Sequence, residues 1–157
     1  MTRTTAALLM FGAAGVVAAE FVVIGLIPAM TVELRLSSVQ AGSLITVFAL
    51  ASALLGPALV ATTARFPPNL VLAAALLPFA ANLLLLAIPS FPIAILFRVL
   101  QGATLPLFMS LAGALLGASR GTGNGIALLY VGVSIGGTFA PPAGSFMAAH
   151  LGWQAPM

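Results

Sequence analysis

Five stretches of the chain, at about residues 6–30, 39–62, 69–88, 92–117 and 124–149, are almost continuously apolar, and each is long enough to cross a bilayer, which takes about 20 helical residues. Only seven of the 157 side chains are charged, five Arg and two Glu, so no solvated shell can be built around a core. With a mean hydropathy of +1.24, the chain has lipid as its solvent and the bilayer as its first partner. Barrel strands would alternate apolar and polar residues, whereas these runs are uniformly apolar and rich in Ala and Leu. The pattern predicts an all-α membrane protein, one domain over residues 1–157, with a bundle of about five transmembrane helices.

The breaks between the runs carry their own signals. Residues 31–38 hold Glu33 and Arg35, and Ser37 followed three residues later by Gln40 is a capping box that starts the second helix. Pro67 and Pro68 after Arg65 forbid helix continuation into the third run. Pro89-Ser90-Phe91-Pro92 forms a tight third connection, and residues 116–123, with Arg120 among three glycines, form the fourth. The run at 6–30 is too long for a signal peptide and contains Glu20, so it reads as an uncleaved first span. Arg3, Arg65 and Arg120 fall on one side and Arg35 on the other, which predicts an N-terminus inside.

Several function classes drop out. The sequence pI of about 11.4 rests on arginines scattered singly, so no basic patch for nucleic acid exists. Without Cys, and with His150 as the lone His, no metal site, Ser/His/Asp triad or other catalytic centre is expected, and no cofactor. Gly121-Thr122-Gly123-Asn124-Gly125 has neither the Lys nor the preceding strand of a phosphate loop. Trp153 reads as an interface anchor and Tyr130 as a core residue.

Glu20 and Arg98 are the two ionisable side chains expected inside spans. A charge at that depth costs several kcal/mol unless it is turned inward and partnered, on the order of +3 on insertion scales. Glu20 lies about 15 Å from the outer end of the first span and Arg98 about 9 Å from that of the fourth, so the two can share a cavity if their helices are neighbours. Two readings stay open: an ion pair that fixes packing, or a group that handles protons or substrate. Arg98, Gln101, Gly102 and Leu105 fall on one helix face, a polar stripe in an apolar helix. In the fifth span Gly132, Gly136, Ala140 and Gly144 recur every four residues as a ridge against which another helix can pack, with Pro141-Pro142 beside it as a bend.

These segments resemble the drug-proton antiporter type of the major facilitator superfamily, in particular its sugar- and arabinose-efflux-like members. Residues 20–28, Glu20-Phe-Val-Val-Ile-Gly-Leu-Ile-Pro28, are similar to the first span of that family, and Ala41-Gly42 through Gly56-Pro57 to the second. Arg98-Val99-Leu100-Gln101-Gly102 resembles its R-x-x-Q-G motif. Gly136-x-x-x-Ala140-Pro141-x-x-Gly144 resembles the antiporter motif G-x-x-x-G-P-x-x-G-G, with Ala140 and Ser145 in place of glycines, and Gly152-Trp153 matches the pair before the sixth span. The loop that normally reads G-x-L-A-D-R-x-G-R-R keeps Arg65 but has Ala64 at the acid, which leaves a remnant of the gating loop. The resemblance implies proton-coupled efflux of a small solute, drug or sugar, across a bacterial inner membrane, with Glu20, Arg98 and Gln101 handling protons or substrate. Such transporters have about twelve spans in two halves, so the resemblance also implies a chain that is most of an N-terminal half, partnered by a second half or another copy. The alternative is a membrane fragment with a structural or regulatory role, or a residual product, that does not transport.

Overall fold

The computed structural model describes residues 2–83 and 90–152. Five helices follow one another: α1 (Arg3–Glu33), α2 (Ser38–Thr63), α3 (Pro68–Ala80, tightening into a 3-10 turn at Ala81–Leu83), α4 (Phe91–Arg120) and α5 (Thr122–Leu151). No strand occurs among the described residues. By length and apolarity α1, α2, α4 and α5 can each cross a membrane, whereas α3 has 13 residues, about 20 Å. The remainder of the expected third span, 84–88, lies outside the described residues, as do Pro89 and Trp153.

Local chemistry sets the helix ends. The Ser37 N–H donates to Gln40 Oε1 (2.9 Å) and the Gln40 N–H to Ser37 Oγ (3.2 Å), the reciprocal capping box expected from the sequence. Pro67 caps α3 and Pro68 opens it, where a missing N–H costs no hydrogen bond. The fourth connection is much shorter than the eight residues expected. α4 runs to Arg120 and α5 restarts at Thr122, joined through Gly121 alone at φ +81°. Two glycines permit this: Gly121 adopts a backbone conformation that costs an L side chain, and Gly125 lets the first turn of α5 lie against the backbone of Leu116 and Gly117.

The long helices associate as two parallel pairs. In the larger, Gly132 and Gly136 of α5 meet the carbonyl oxygens of Met10 and Ala14 of α1, and Gly144 meets Val22, so both helices advance together. A Cβ at Gly132 or Gly136 would collide with those carbonyls. In the second pair, Gly102 of α4 abuts the Phe48 carbonyl of α2. Small residues serve here because lipid supplies no hydrophobic drive between helices, and close backbone approach replaces it.

Two apolar clusters stack along the bundle. One joins Leu9, Val16 and Val17 of α1 to Val71 of α3 and Leu107, Phe108 and Leu116 of α4. The other joins Val22, Val23, Leu26 and Met30 of α1 to Leu44 of α2 and Ala94 and Phe97 of α4. Residues 19–21 of α1 and 98–104 of α4 fall between them, and Arg98, Gln101 and Thr104 of α4 sit there.

The packing predicts unequal tolerance within one helix pair. Gly136→Leu forces its side chain into the α1 backbone and destabilises the detergent-solubilised protein by roughly 1–3 kcal/mol or more. Gly15→Leu, where an added Cβ meets nothing within 4 Å, leaves the thermal midpoint close to that of the unsubstituted protein. Equal losses in the two variants would contradict the seam.

Candidate functional site

Arg98 is 1% exposed and Gln101 0% exposed, so a cation and an amide lie within an apolar bundle. A guanidinium has five N–H groups and no acceptor, and each one left unpaired in such a place is costly. Four hydrogen bonds engage four of the five. Nε donates to the Leu44 carbonyl of α2 (3.3 Å), Nη1 to the Ala19 carbonyl of α1 (2.8 Å) and to Gln101 Oε1 (3.3 Å), and Nη2 to the Glu20 carbonyl (3.0 Å). The Phe48 ring of α2 lies 4.3 Å from the guanidinium carbon, a cation–π contact worth up to about 2 kcal/mol when desolvated. Helical carbonyls can accept these bonds because each has a second lone pair beyond its i+4 partner.

Gln101 continues the network. With Oε1 facing a group that only donates, its Nε2 must face an acceptor, and it donates to the Pro78 carbonyl of α3 (3.3 Å). That carbonyl lies in the last turn of α3, where helix ends leave acceptors free. Gly102, next in the chain, admits the α2 backbone that carries Phe48 and Leu44. The letters of R-x-x-Q-G thus tie α4 to α1, α2 and α3.

Glu20 is half-buried on α1. The structure brings it to Arg98 through its main chain: among the described residues its carboxylate has no ion-pair partner within 4.0 Å and no hydrogen bond. Of the two readings left open for the pair, a direct ion pair does not form among the described residues, and the guanidinium instead meets the α1 main chain at the Ala19 and Glu20 carbonyls. The remaining residues singled out in the sequence lie elsewhere. Gly132, Gly136, Ala140, Pro141 and Gly144 belong to the α1–α5 seam, and Ser145, at a glycine position of the antiporter motif, donates its hydroxyl to the carbonyls of Gly25 (3.2 Å) and Pro141 (3.1 Å). Arg65 is exposed at the end of α2, with its guanidinium 5.1 Å from the Phe66 ring centre. Leu105 is half-buried, and Tyr130, expected in the core, is 60% exposed.

Sequence reasoning missed Phe48, Pro78 and the three carbonyls of Ala19, Glu20 and Leu44. Backbone acceptors carry no side-chain signature. Phe48 was legible only as an aromatic residue in a run of small ones.

The family model described as Major Facilitator Superfamily matches residues 9–157 of the chain. The chain belongs to the major facilitator superfamily. This member is an integral membrane protein, and its helices and the bilayer are the partners its composition requires. A chloramphenicol resistance protein of Streptomyces lividans is 31% identical over 142 residues, an alignment covering 87% of this chain and 36% of the relative. This facilitator chain therefore spans little more than a third of the length of that curated relative. No solved structure matches it.

The network predicts a specific cost at Gln101. Gln101→Leu leaves the Pro78 carbonyl and one guanidinium N–H without their partner, and loses roughly 1–3 kcal/mol of stability despite the gain in apolarity. A midpoint in detergent equal to that of the parent protein would contradict the geometry.

Proposed function

We propose that this chain forms one wall of a transporter that exports a small, drug-type solute across a bacterial cytoplasmic membrane in exchange for protons. The observation that carries the reading is Glu20: a half-buried carboxylate in a membrane helix, without a cation on its oxygens, beside a guanidinium fixed by other groups. A packing role would bring that carboxylate into contact with Arg98. An acid left unpaired at such depth serves a proton or a solute. Similarity to a chloramphenicol resistance protein of S. lividans supports a drug rather than a sugar.

In this mechanism Glu20 gains and loses a proton while Arg98 keeps its carbonyl partners. Protonation removes the negative charge beside a permanent cation and leaves the site with a net positive charge, and deprotonation restores neutrality. Gln101 holds the guanidinium in place as this happens. The α1–α5 seam with Gly132, Gly136, Ala140, Pro141 and Gly144 moves as one body, and Arg65 keeps a place at the inner end of α2 in a loop that lacks the acid of the family pattern. The N-terminus lies inside, and a second half or another copy supplies the opposite wall, against which this one rocks.

The test is drug flux in everted vesicles from cells producing the protein at full length. Chloramphenicol movement driven by a pH gradient is expected, and Glu20→Gln should lose that dependence at least tenfold with normal membrane yield, while Glu20→Asp retains part of it. Undiminished pH-driven flux in Glu20→Gln would remove the proton role.

A further inference from the structure

Pro67 and Pro68 break the chain after α2, and α3 then lies against α4 rather than against α2, its neighbour in sequence. The separation leaves a cleft between α2 and α3, floored by α4. Val60 of α2, Phe66 of the turn, Val71 of α3 and Leu107, Leu111 and Ala114 of α4 line a volume of about 290 Å³. A second hollow of about 190 Å³ shares Phe66, Val71 and Leu107 and continues to Leu70 and Ala74 of α3. Thr63, also in the wall, turns its hydroxyl back to the Leu59 carbonyl (2.5 Å). Ser110 is the exception: it is exposed in the cleft and makes no hydrogen bond among the described residues. Walls this apolar do not hold water, so on the outside of a membrane bundle they take hydrocarbon.

The rim of the cleft is charged. Arg65 lies just past the end of α2, exposed, with its guanidinium 5.1 Å from the ring centre of Phe66, itself part of the wall. No carboxylate of this chain can meet that cation, since its two acids are Glu20 and Glu33. Glu33 closes α1 just before α2 begins, so the length of α2, about 39 Å, separates it from Arg65. Glu20 lies about 25 Å in from the start of α1. Ala6 and Leu9 of α1 pack with Leu107 and Leu116 of α4, and α4 runs parallel to α2. Arg3, Arg65 and Arg120 therefore share one end of the bundle, and that end has no acid. The anions available at a span end are lipid phosphates, and arginines placed there attract anionic headgroups.

We propose that the α2–α3 cleft is a binding site for an anionic phospholipid, with one acyl chain along Val60, Val71 and Leu107, the phosphate on Arg65, and the Ser110 hydroxyl available to the ester. The cleft gives the site its affinity for a chain and Arg65 its preference for a charge. The inference needs only that the protein lies in a bilayer, and it stands or falls apart from the transport reading.

The test is the thermal midpoint of the delipidated full-length protein in neutral detergent, with palmitoyl-oleoyl phosphatidylglycerol or the phosphatidylcholine of the same chains added at equal mole fraction. Phosphatidylglycerol is expected to raise the midpoint by about 5 °C or more above phosphatidylcholine. Arg65→Gln should lose most of that difference and Arg65→Lys should keep at least half of it, whereas Arg35→Gln, at the opposite end, should leave it intact. Ala114 is exposed, so Ala114→Phe fills the cleft without entering the core, and it should also abolish the difference. Equal midpoints in the two lipids would overturn the site, and that is the result if protein beyond this chain covers the cleft. A difference that survives Arg65→Gln, or that Arg35→Gln removes equally, would overturn the role of Arg65. One that survives Ala114→Phe, or that glycerol phosphate alone reproduces, would overturn the seat for the acyl chain.

Discussion

The guanidinium of Arg98 joins three helices that apolar packing alone would leave free to slide. Its partners are main-chain carbonyls of α1 and α2, an amide of its own helix and an aromatic face. Removing any one leaves a buried donor, so the geometry is held from several sides at once. Carbonyls do not titrate. The attachment is accordingly the same at any pH at which Arg stays charged, and the carboxylate of Glu20 is left outside it.

That separation shapes what the bundle can do. A direct Glu20–Arg98 ion pair would couple protonation to breaking a structural contact, so each proton would loosen the fold. Here the cation is secured elsewhere, and the proposed proton traffic at Glu20 changes only charge. The polar residues occupy the gap between two apolar clusters, and the glycine approaches at Gly102 and Gly136 bring backbones close enough for side chains to reach carbonyls across helices. Arg98, Gln101 and Gly102 form one device, in which the glycine supplies distance and the other two supply donors.

Much of this was legible in the sequence because membrane helices obey few rules. Continuous apolar runs, the Pro67-Pro68 pair and the Ser37–Gln40 box marked helices and their starts, and the four-residue ridge of α5 marked a close-packed face. The link at Gly121 was read too long, since glycines and one Arg look like a loop until the close contact of Gly125 with Leu116 and Gly117 is known. Arg98 and Gln101 were singled out as a polar stripe, yet their partners were not, because carbonyls have no letter in a sequence. Tyr130 was misread as core for a related reason: an exposed residue in a membrane helix looks the same on paper whether it meets lipid, protein or water.

The central claim is that the shape of the guanidinium, and not its charge alone, holds α1, α2 and α4 together. Thermal unfolding of detergent-solubilised Arg98→Lys against Arg98→Ala tests it most directly. An ammonium keeps the charge but cannot reach carbonyls of two helices and Gln101 from one planar group. Arg98→Lys is therefore predicted to lose most of the stability lost by Arg98→Ala, with both midpoints well below that of the parent protein. A lysine variant as stable as the parent would show that a positive charge suffices, and would contradict the account.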